Sequence, residues 1–475
     1  MPPKPRFFFT DKDDLVWRKL DEATDEWDIS IRTNETYRAV GNLILKYKKG
    51  QAELMHSVIK GGYNVVYRLE YKDGSSAVMR VPIKGVVPFP DEKVRYEVAT
   101  MRYVAANTTI PVPHVYHYGT TADNPIGLGP FIIMDYIEHH QNMSRELLDP
   151  ERAPDQRPIL NPDIGEEKLE FLYSQIANIL LQLSSLKFPR IGSLVEREGG
   201  TSTSVEGRPL IANMNDLVVH TNAPASILPS QTYTSADEWY RALADMHITQ
   251  LVFQHNDAVE DEDDARDKYV ARQLFRKLAA ERRLAPELES DGGPPGRRVI
   301  DWEFAYAAPA QFSFDPPWWL LLEEPEYWAG GYRAWMEVYE PRLRTFLRVL
   351  EAEEKKMAAA NITERVGRMS LAGGGKTEVP LSQRMRESWE KRTWMRNYAA
   401  RKSWAFDFIW WKFLDESYFG PNENQDHQPR LELLSESQRE AMEAFVACKM
   451  EESRNPGIVE WEDKHAADRL AELLV

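Results

Sequence analysis

A chain of 475 residues, 43% hydrophobic and 28% charged, is long enough for two or three domain-sized units and is balanced like a globular protein. Its formal charge of −16 excludes a broad positive surface for nucleic acid or an anionic membrane, although a local Lys/Arg cluster would suffice for a small anionic ligand. The single cysteine, Cys448, excludes a disulfide framework and a Cys-rich zinc site, and no apolar stretch approaches the ~18 residues of a membrane span. The opening MPPKPRFFFT holds three consecutive Phe, too short a run for a signal-peptide core, so a cytoplasmic protein is expected.

In chain order, residues 1–50 read as polar, Trp-punctuated helical segments. Residues 61–72 and 76–83, rich in Val and Tyr, read as strands with Asp73-Gly74 as the hairpin turn between them. A helix follows over 91–106, with Val94, Val98, Met101 and Ala105 on one face. Pro111 and Pro113 break the chain, and 129–138 (GPFIIMDYIE) is an apolar run of strand length. Beyond residue 143 the pattern turns helical: Leu169, Leu172, Ile176, Ile179, Leu180 and Leu183 keep a 3.6-residue period. Residues 200–235, rich in Ser, Thr, Pro and Asn, read as a long loop or insertion. A helical stretch over 236–284 repeats Val270, Leu274 and Leu278, and 285–300 is an acidic, Gly/Pro-rich break. Trp-rich helical regions run from about 318 to 350 and 380 to 420, before a C-terminal helical tail at 431–475.

Four features could carry chemistry, and each has a plain structural reading beside it. The glycine pair of GGYNVVYRL could let backbone N–H groups approach phosphate, or could be an ordinary hairpin turn; it fits neither the Walker pattern nor a full G-x-G-x-x-G. Arg80 in AVMRVPI could hold a phosphate or be an edge-strand surface Arg, and Glu97 could pair with it or be solvated. Asp301 in VIDWEFAYAAPAQF stands at a strand end, where a carboxylate suits a hard cation such as Mg²⁺ or simply caps a turn. The acidic run from Asp257 to Asp267 lacks the glycine and ligand spacing of an EF-hand and reads as a solvated helix start.

Taken in order, a glycine turn, a strand with a cation, a helix with Glu, a hinge-like strand, a helical region and an Asp at a strand end follow the kinase plan. EVATMRYVAANTTIPVPHVYHYG, GPFIIMDYI and VIDWEFAYAAPAQFSFDPPWWLLLEEPEYW resemble the fungal aminoglycoside-phosphotransferase-like proteins, which are related to choline and fructosamine kinases; the likeness runs from about residue 50 to about 420. The resemblance implies an α+β, protein-kinase-like two-lobed fold: an N-terminal extension at 1–50, a small antiparallel-sheet N-lobe and hinge at 51–138, a mainly helical C-lobe at 139–430 and the tail. It also implies ATP and Mg²⁺ as cofactors and phosphoryl transfer to a small-molecule hydroxyl. Gly61, Gly62 and Asn64 fall at the family's nucleotide-covering loop. Arg80 replaces the phosphate-gripping Lys, as a bulkier planar fork. Glu97 matches the helix Glu that pairs with that cation, and Met134 and Tyr136 lie in the hinge that meets adenine. Asp301 matches the metal-binding Asp, followed by Trp302 and Glu303 where the kinase plan has Phe and Gly.

The loop that should carry the catalytic Asp, and a metal-holding Asn five residues on, is missing. The chain passes from Leu284 through ESDGGPPGRR to Val299-Ile300-Asp301, and Asp291 is followed five places later by Gly296. His255-Asn256-Asp257 has the H-x-D form but is followed by Glu262 instead of Asn, and a full amphipathic helix separates it from Asp301. No catalytic residue is assigned. Losing general-base help costs roughly 10²- to 10⁴-fold, so impaired phosphoryl transfer is expected. The alternatives are a pseudokinase acting as a nucleotide-binding or interaction module, or a product lacking an exon-sized piece. The expected partner is a small-molecule acceptor, with no nucleic acid and no membrane; the acceptor and the oligomeric state are not encoded legibly. Inactive chains more often swap the Asp than lose a whole hairpin. Transcript sequencing across 285–298 is therefore expected to recover a longer form, and a single species with this junction would overturn the lost-exon expectation.

Overall fold

The computed structural model describes residues 11–153, 156–197, 202–285, 298–300, 303–367 and 379–474, with backbone alone over 298–300 and 360–367. Two helices lead, α1 (Asp14–Ile31) and α2 (Asn34–Tyr47). Both start on side-chain caps: the Asp13 carboxylate accepts from the Leu15 and Val16 N–H groups, and Thr33 from that of Thr36. Six strands and one helix follow: β1 (Ala52–Met55), β2 (Ile59–Lys60), β3 (Asn64–Tyr71), β4 (Ser76–Pro82), α3 (Pro90–Asn107), β5 (Val115–Gly119) and β6 (Phe131–Asp135). They form one antiparallel sheet in the order β1-β3-β4-β6-β5, with β2 also paired to β3. Val65, Tyr67 and Leu69 of β3 alternate inward with Met79 and Val81 of β4 and pack against Val40 and Ile44 of α2. The opposite face packs Ile132 and Val115 on Val94, Val98 and Met101 of α3.

The Asp73-Gly74 turn joins β3 to β4 as expected; Gly74 has φ +80°, and the Asp73 carboxylate accepts from the Ser75 N–H. The strand expected from residue 61 begins at Asn64, because Gly61–Tyr63 turns the chain back from β2 and the Gly61 N–H donates to the Asn64 carbonyl. The inward face of α3 uses Val104, the larger apolar group, whereas Ala105 is exposed.

The remainder is mainly helical: α4 (Met143–Leu147), α5 (Glu166–Ser185), β7 (Ser193–Glu196), β8 (Thr203–Gly207), α6 (Ala212–Thr221), α7 (Ala236–Phe253), α8 (Glu262–Ala280), β9 (Arg298–Ile300), β10 (Tyr306–Ala308), α9 (Gly331–Gly367), α10 (Leu381–Glu390), α11 (Thr393–Arg401), α12 (Phe406–Ile409), α13 (Asp415–Phe419), α14 (Glu436–Arg454) and α15 (Asp463–Ala471). The α+β order expected, a small antiparallel-sheet half followed by a mainly helical half, is what the elements show. The expected loop at 200–235 is corrected: it contains β8, paired to β7, and α6, whose Met214 and Leu217 are fully buried. Its Ser/Thr/Asn content decorates ordered elements instead of replacing them. The acidic run is the start of α8, with Asp261 as its cap and Glu262, Asp263 and Asp264 in the first turn.

The strand before Asp301, β9, pairs with β10, and β10 exchanges both backbone hydrogen bonds of Ala307 with Gly192. The interval 286–297, where degeneration of the catalytic loop was expected, lies outside the described residues.

The 255–257 segment fastens both flanks of the chain. Asn256 Nδ2 donates to the buried Asp13 carboxylate and to the Gly457 carbonyl, and the Gly457 N–H returns a bond to Asn256 Oδ1. Asn256→Ala leaves a desolvated carboxylate short of donors. It is expected to destabilise the fold by about 2–3 kcal/mol in urea unfolding followed by Trp fluorescence; a loss below about 0.5 kcal/mol would show that this junction bears no load.

Candidate functional site

The β4–β6 register sets Arg80 opposite Ile132 and so places it on the α3 side of the sheet. There α3 presents Glu97, in the same buried row as Val94, Val98 and Met101. Arg80 Nη2 meets Glu97 Oε1 in an ion-pair contact of 2.5 Å. One helical turn earlier, Lys93 sends its ammonium into the same space. Its side chain has 0% exposure; it donates to Asn64 Oδ1 at 3.1 Å and Glu97 Oε2 at 3.3 Å, and lies 3.9 Å from Glu303 Oε2. Burial holds the Lys93 ammonium below its ordinary pKa, opposed by the Glu97 and Glu303 carboxylates and reinforced by Arg80.

Glu303 closes the group. Its Oε1 accepts from Arg80 Nη2 at 2.7 Å and from Asn64 Nδ2 at 2.7 Å. It comes from the turn between β9 and β10, where Phe304 adopts φ +56°, the left-handed region costly for a residue with a Cβ. The Phe304 ring is held edge-on by Tyr63, 5.0 Å away in the β2–β3 turn, and lies 5.8 Å from the Lys93 ammonium. Two cations and two carboxylates thus join the sheet, α3 and the β9–β10 turn.

The structure gathers Asn64, Arg80 and Glu97 into one network, with the amide of Asn64 used at both ends. Gly61 and Gly62 lie beside it in the β2–β3 turn. A Cβ on Gly62 would meet nothing within 4 Å, and neither glycine has a positive φ, so the turn leaves open space without needing glycine for its own conformation. Met134 lies on β6 between Val78 and Val115, packed toward the α3 face. The Tyr136 N–H donates to the Ser76 carbonyl, and its ring carries the Arg68 guanidinium at 4.1 Å, which in turn pairs with Glu138. Asp301 lies outside the described residues. Asp257 is exposed and accepts from the Asp14 N–H at 3.2 Å, a structural tether.

Sequence reasoning missed Lys93 and passed over Glu303 as a mere replacement for Gly. The signal for Lys93 was its i,i+4 spacing to Glu97 within an otherwise apolar row. Nothing local announces that Glu303 reaches residues 64, 80 and 93.

A second feature lies in the helical half: a cavity of about 210 Å³ walled by Leu183, Trp318, Trp319 and Met385, with Asp315 and Arg401 at its edge. Asp315 accepts from Arg401 Nη2 at 2.6 Å and Asn397 Nδ2 at 2.7 Å, yet burial pushes its carboxyl up to about 7.

No family model matches the chain. It is 30% identical over 137 residues to a subtelomeric hrmA-associated cluster protein of Aspergillus fumigatus, covering 28% of this chain and 23% of that protein. It is 28% identical over 184 residues to altered inheritance of mitochondria protein 9 of Debaryomyces hansenii, covering 38% and 28%. The protein of the same name from Zygosaccharomyces rouxii is 30% identical over 162 residues, covering 32% and 24%. The match therefore spans about a quarter of the length of these curated relatives. Among solved structures, a protein assigned as a fructosamine-3-kinase from Thermobifida fusca superposes with TM-score 0.36 at 13% identity, covering 78% of this chain and 96% of that one. An ethanolamine kinase of Plasmodium vivax does so with TM-score 0.36 at 9% identity, covering 96% and 94%.

The expected cytoplasmic location is corrected by these relatives, whose printed names are mitochondrial. A lone cysteine fits a reducing compartment without telling one such compartment from another, and mitochondrial leaders are amphipathic instead of apolar. No helix among the described residues is long and apolar enough to cross a membrane.

The raised Asp315 group has a definite pH consequence. The folded chain keeps a proton that the unfolded chain releases between the ordinary 3.8 and about 7, so this group's contribution to stability falls as pH rises through that window. Asp315→Asn is expected to flatten that fall. Urea midpoints at pH 5 and pH 7.5, on both proteins, check it; parallel losses would remove Asp315 as the cause.

Proposed function

We propose that this chain is a nucleotide-binding protein on a small-molecule-kinase scaffold, descended from aminoglycoside-phosphotransferase-like enzymes, whose phosphoryl transfer to a small-molecule hydroxyl is impaired. The observation that carries the reading is the Arg80–Glu97 pair, set between β4 and α3 beside the open Gly61-Gly62 turn. In this reading Arg80 takes a phosphate oxygen of ATP and Glu97 fixes the guanidinium. With the Tyr136 N–H committed to Ser76, the adenine edge falls to the backbone beyond it, where Ile137 is 57% exposed.

The donor set also suits Mg²⁺. That ion takes one or two carboxylates plus substrate phosphates in preference to an all-protein cage. The described residues fit that habit: they contain no group of three or more metal-type side chains, yet Glu303 offers a partly exposed carboxylate beside the phosphate-binding cation. Asp301, as the sequence places it, would be the second oxygen ligand. When bound, the ion would neutralise charge on the transferring phosphate.

Impairment rests on the absence of any Asp-x-x-x-x-Asn between Leu284 and Asp301. The pseudokinase reading gains from one observation, that Arg80 is already held by two carboxylates. The partner proposed is a small-molecule acceptor, not nucleic acid or a membrane, in keeping with the net charge of −16.

At 100 times its Kd, Mg·ATP is expected to stabilise the protein by ~2.7 kcal/mol, read as a thermal shift. Arg80→Ala is expected to abolish the shift while leaving far-UV circular dichroism intact. No shift in the unsubstituted protein would overturn nucleotide binding, and ATP turnover at the roughly 1–100 s⁻¹ usual for kinases would overturn impairment.

A further inference from the structure

We infer that Glu303 determines which form of polyphosphate this site accepts: seated on Arg80, its carboxylate turns away a metal-free polyphosphate and yields only to one that arrives with a divalent cation. The inference rests on the nucleotide reading above.

Of the two carboxylates on Arg80, one is fixed and one is exchangeable. Glu97 is 1% exposed and is held by both Arg80 and Lys93, so it belongs to the buried frame. Glu303 is 28% exposed, sits on a turn, and touches Arg80 and Asn64 through Oε1 alone, while its Oε2 stands 3.9 Å from Lys93. A ligand that takes Arg80 therefore displaces Glu303, not Glu97.

Charge then decides what can do so. Arg80 and Lys93 are balanced by Glu97 and Glu303, so these four groups together offer no net positive field. A bare polyphosphate would free the Glu303 carboxylate into the space beside its own negative oxygens, a like-charge contact in a partly desolvated setting. A divalent cation carried on the phosphates removes that repulsion, because it accepts a carboxylate oxygen as readily as a phosphate oxygen. Glu303 thus couples metal to nucleotide, and the coupling is reciprocal.

The test is isothermal titration of ATP into the full chain, once with excess Mg²⁺ and once with EDTA, for the unsubstituted protein, Glu303→Gln and Glu303→Ala. Gln keeps the size and a weaker bond to Arg80 but carries no charge. For both variants the Kd for metal-free ATP is expected to tighten by about tenfold, and the gain from adding Mg²⁺ to shrink by a similar factor. A metal-free Kd that is unchanged or weaker in both variants, while the unsubstituted protein binds Mg·ATP, overturns the role of Glu303 and leaves nucleotide binding standing. Binding in none of the three proteins, with or without Mg²⁺, overturns the nucleotide reading and this inference with it.

Discussion

Lys93 is the constraint around which the functional half is arranged. An ammonium with no exposed surface survives only if its three donors find acceptors and its charge finds counter-charges. Asn64 at the head of β3, Glu97 one turn along α3, and Glu303 on the β9–β10 turn supply them. Each comes from a different element, so satisfying one buried group fixes the sheet, the helix and the turn against one another. Arg80 is then orientated as a by-product, because both of its carboxylate partners also answer to Lys93.

The helical half solves the same problem more deeply. Arg272 of α8 is fully buried and makes two bonds to Asp407 of α12, one to Gln250 and one to the His247 carbonyl. Arg430 likewise locks onto Asp415. Such groups contribute little net stability compared with apolar replacements, but they admit only one arrangement of the helices that carry them. The tryptophans fill the space between: Trp335 stacks on Tyr339 at 4.1 Å, and Trp394 on Trp389 at 5.5 Å. The β9–β10 turn is tied to the helical half through Ala307 and its paired bonds to Gly192.

What the sequence made legible was local. The Asp73-Gly74 turn, the two strands it joins and the apolar face of α3 follow from short-range backbone and side-chain rules, and the structure keeps them, with β3 starting at Asn64 and Val104 buried where Ala105 is exposed. What it hid was non-local or masked by composition. Lys93 drew no reading because buried lysines are rare, and two of the groups that make its burial tolerable lie 29 and about 210 positions away. The 200–235 stretch read as loop because Ser, Thr and Asn favour turns, yet α6 is ordered by tertiary packing of Met214 and Leu217.

The Asn256 junction has a topological meaning. It holds Asp13 and Gly457 at one point, so the intervening polypeptide is closed into a loop by hydrogen bonds. The start of α1 and the segment after α14 are thereby tied to the end of α7 through one side-chain amide.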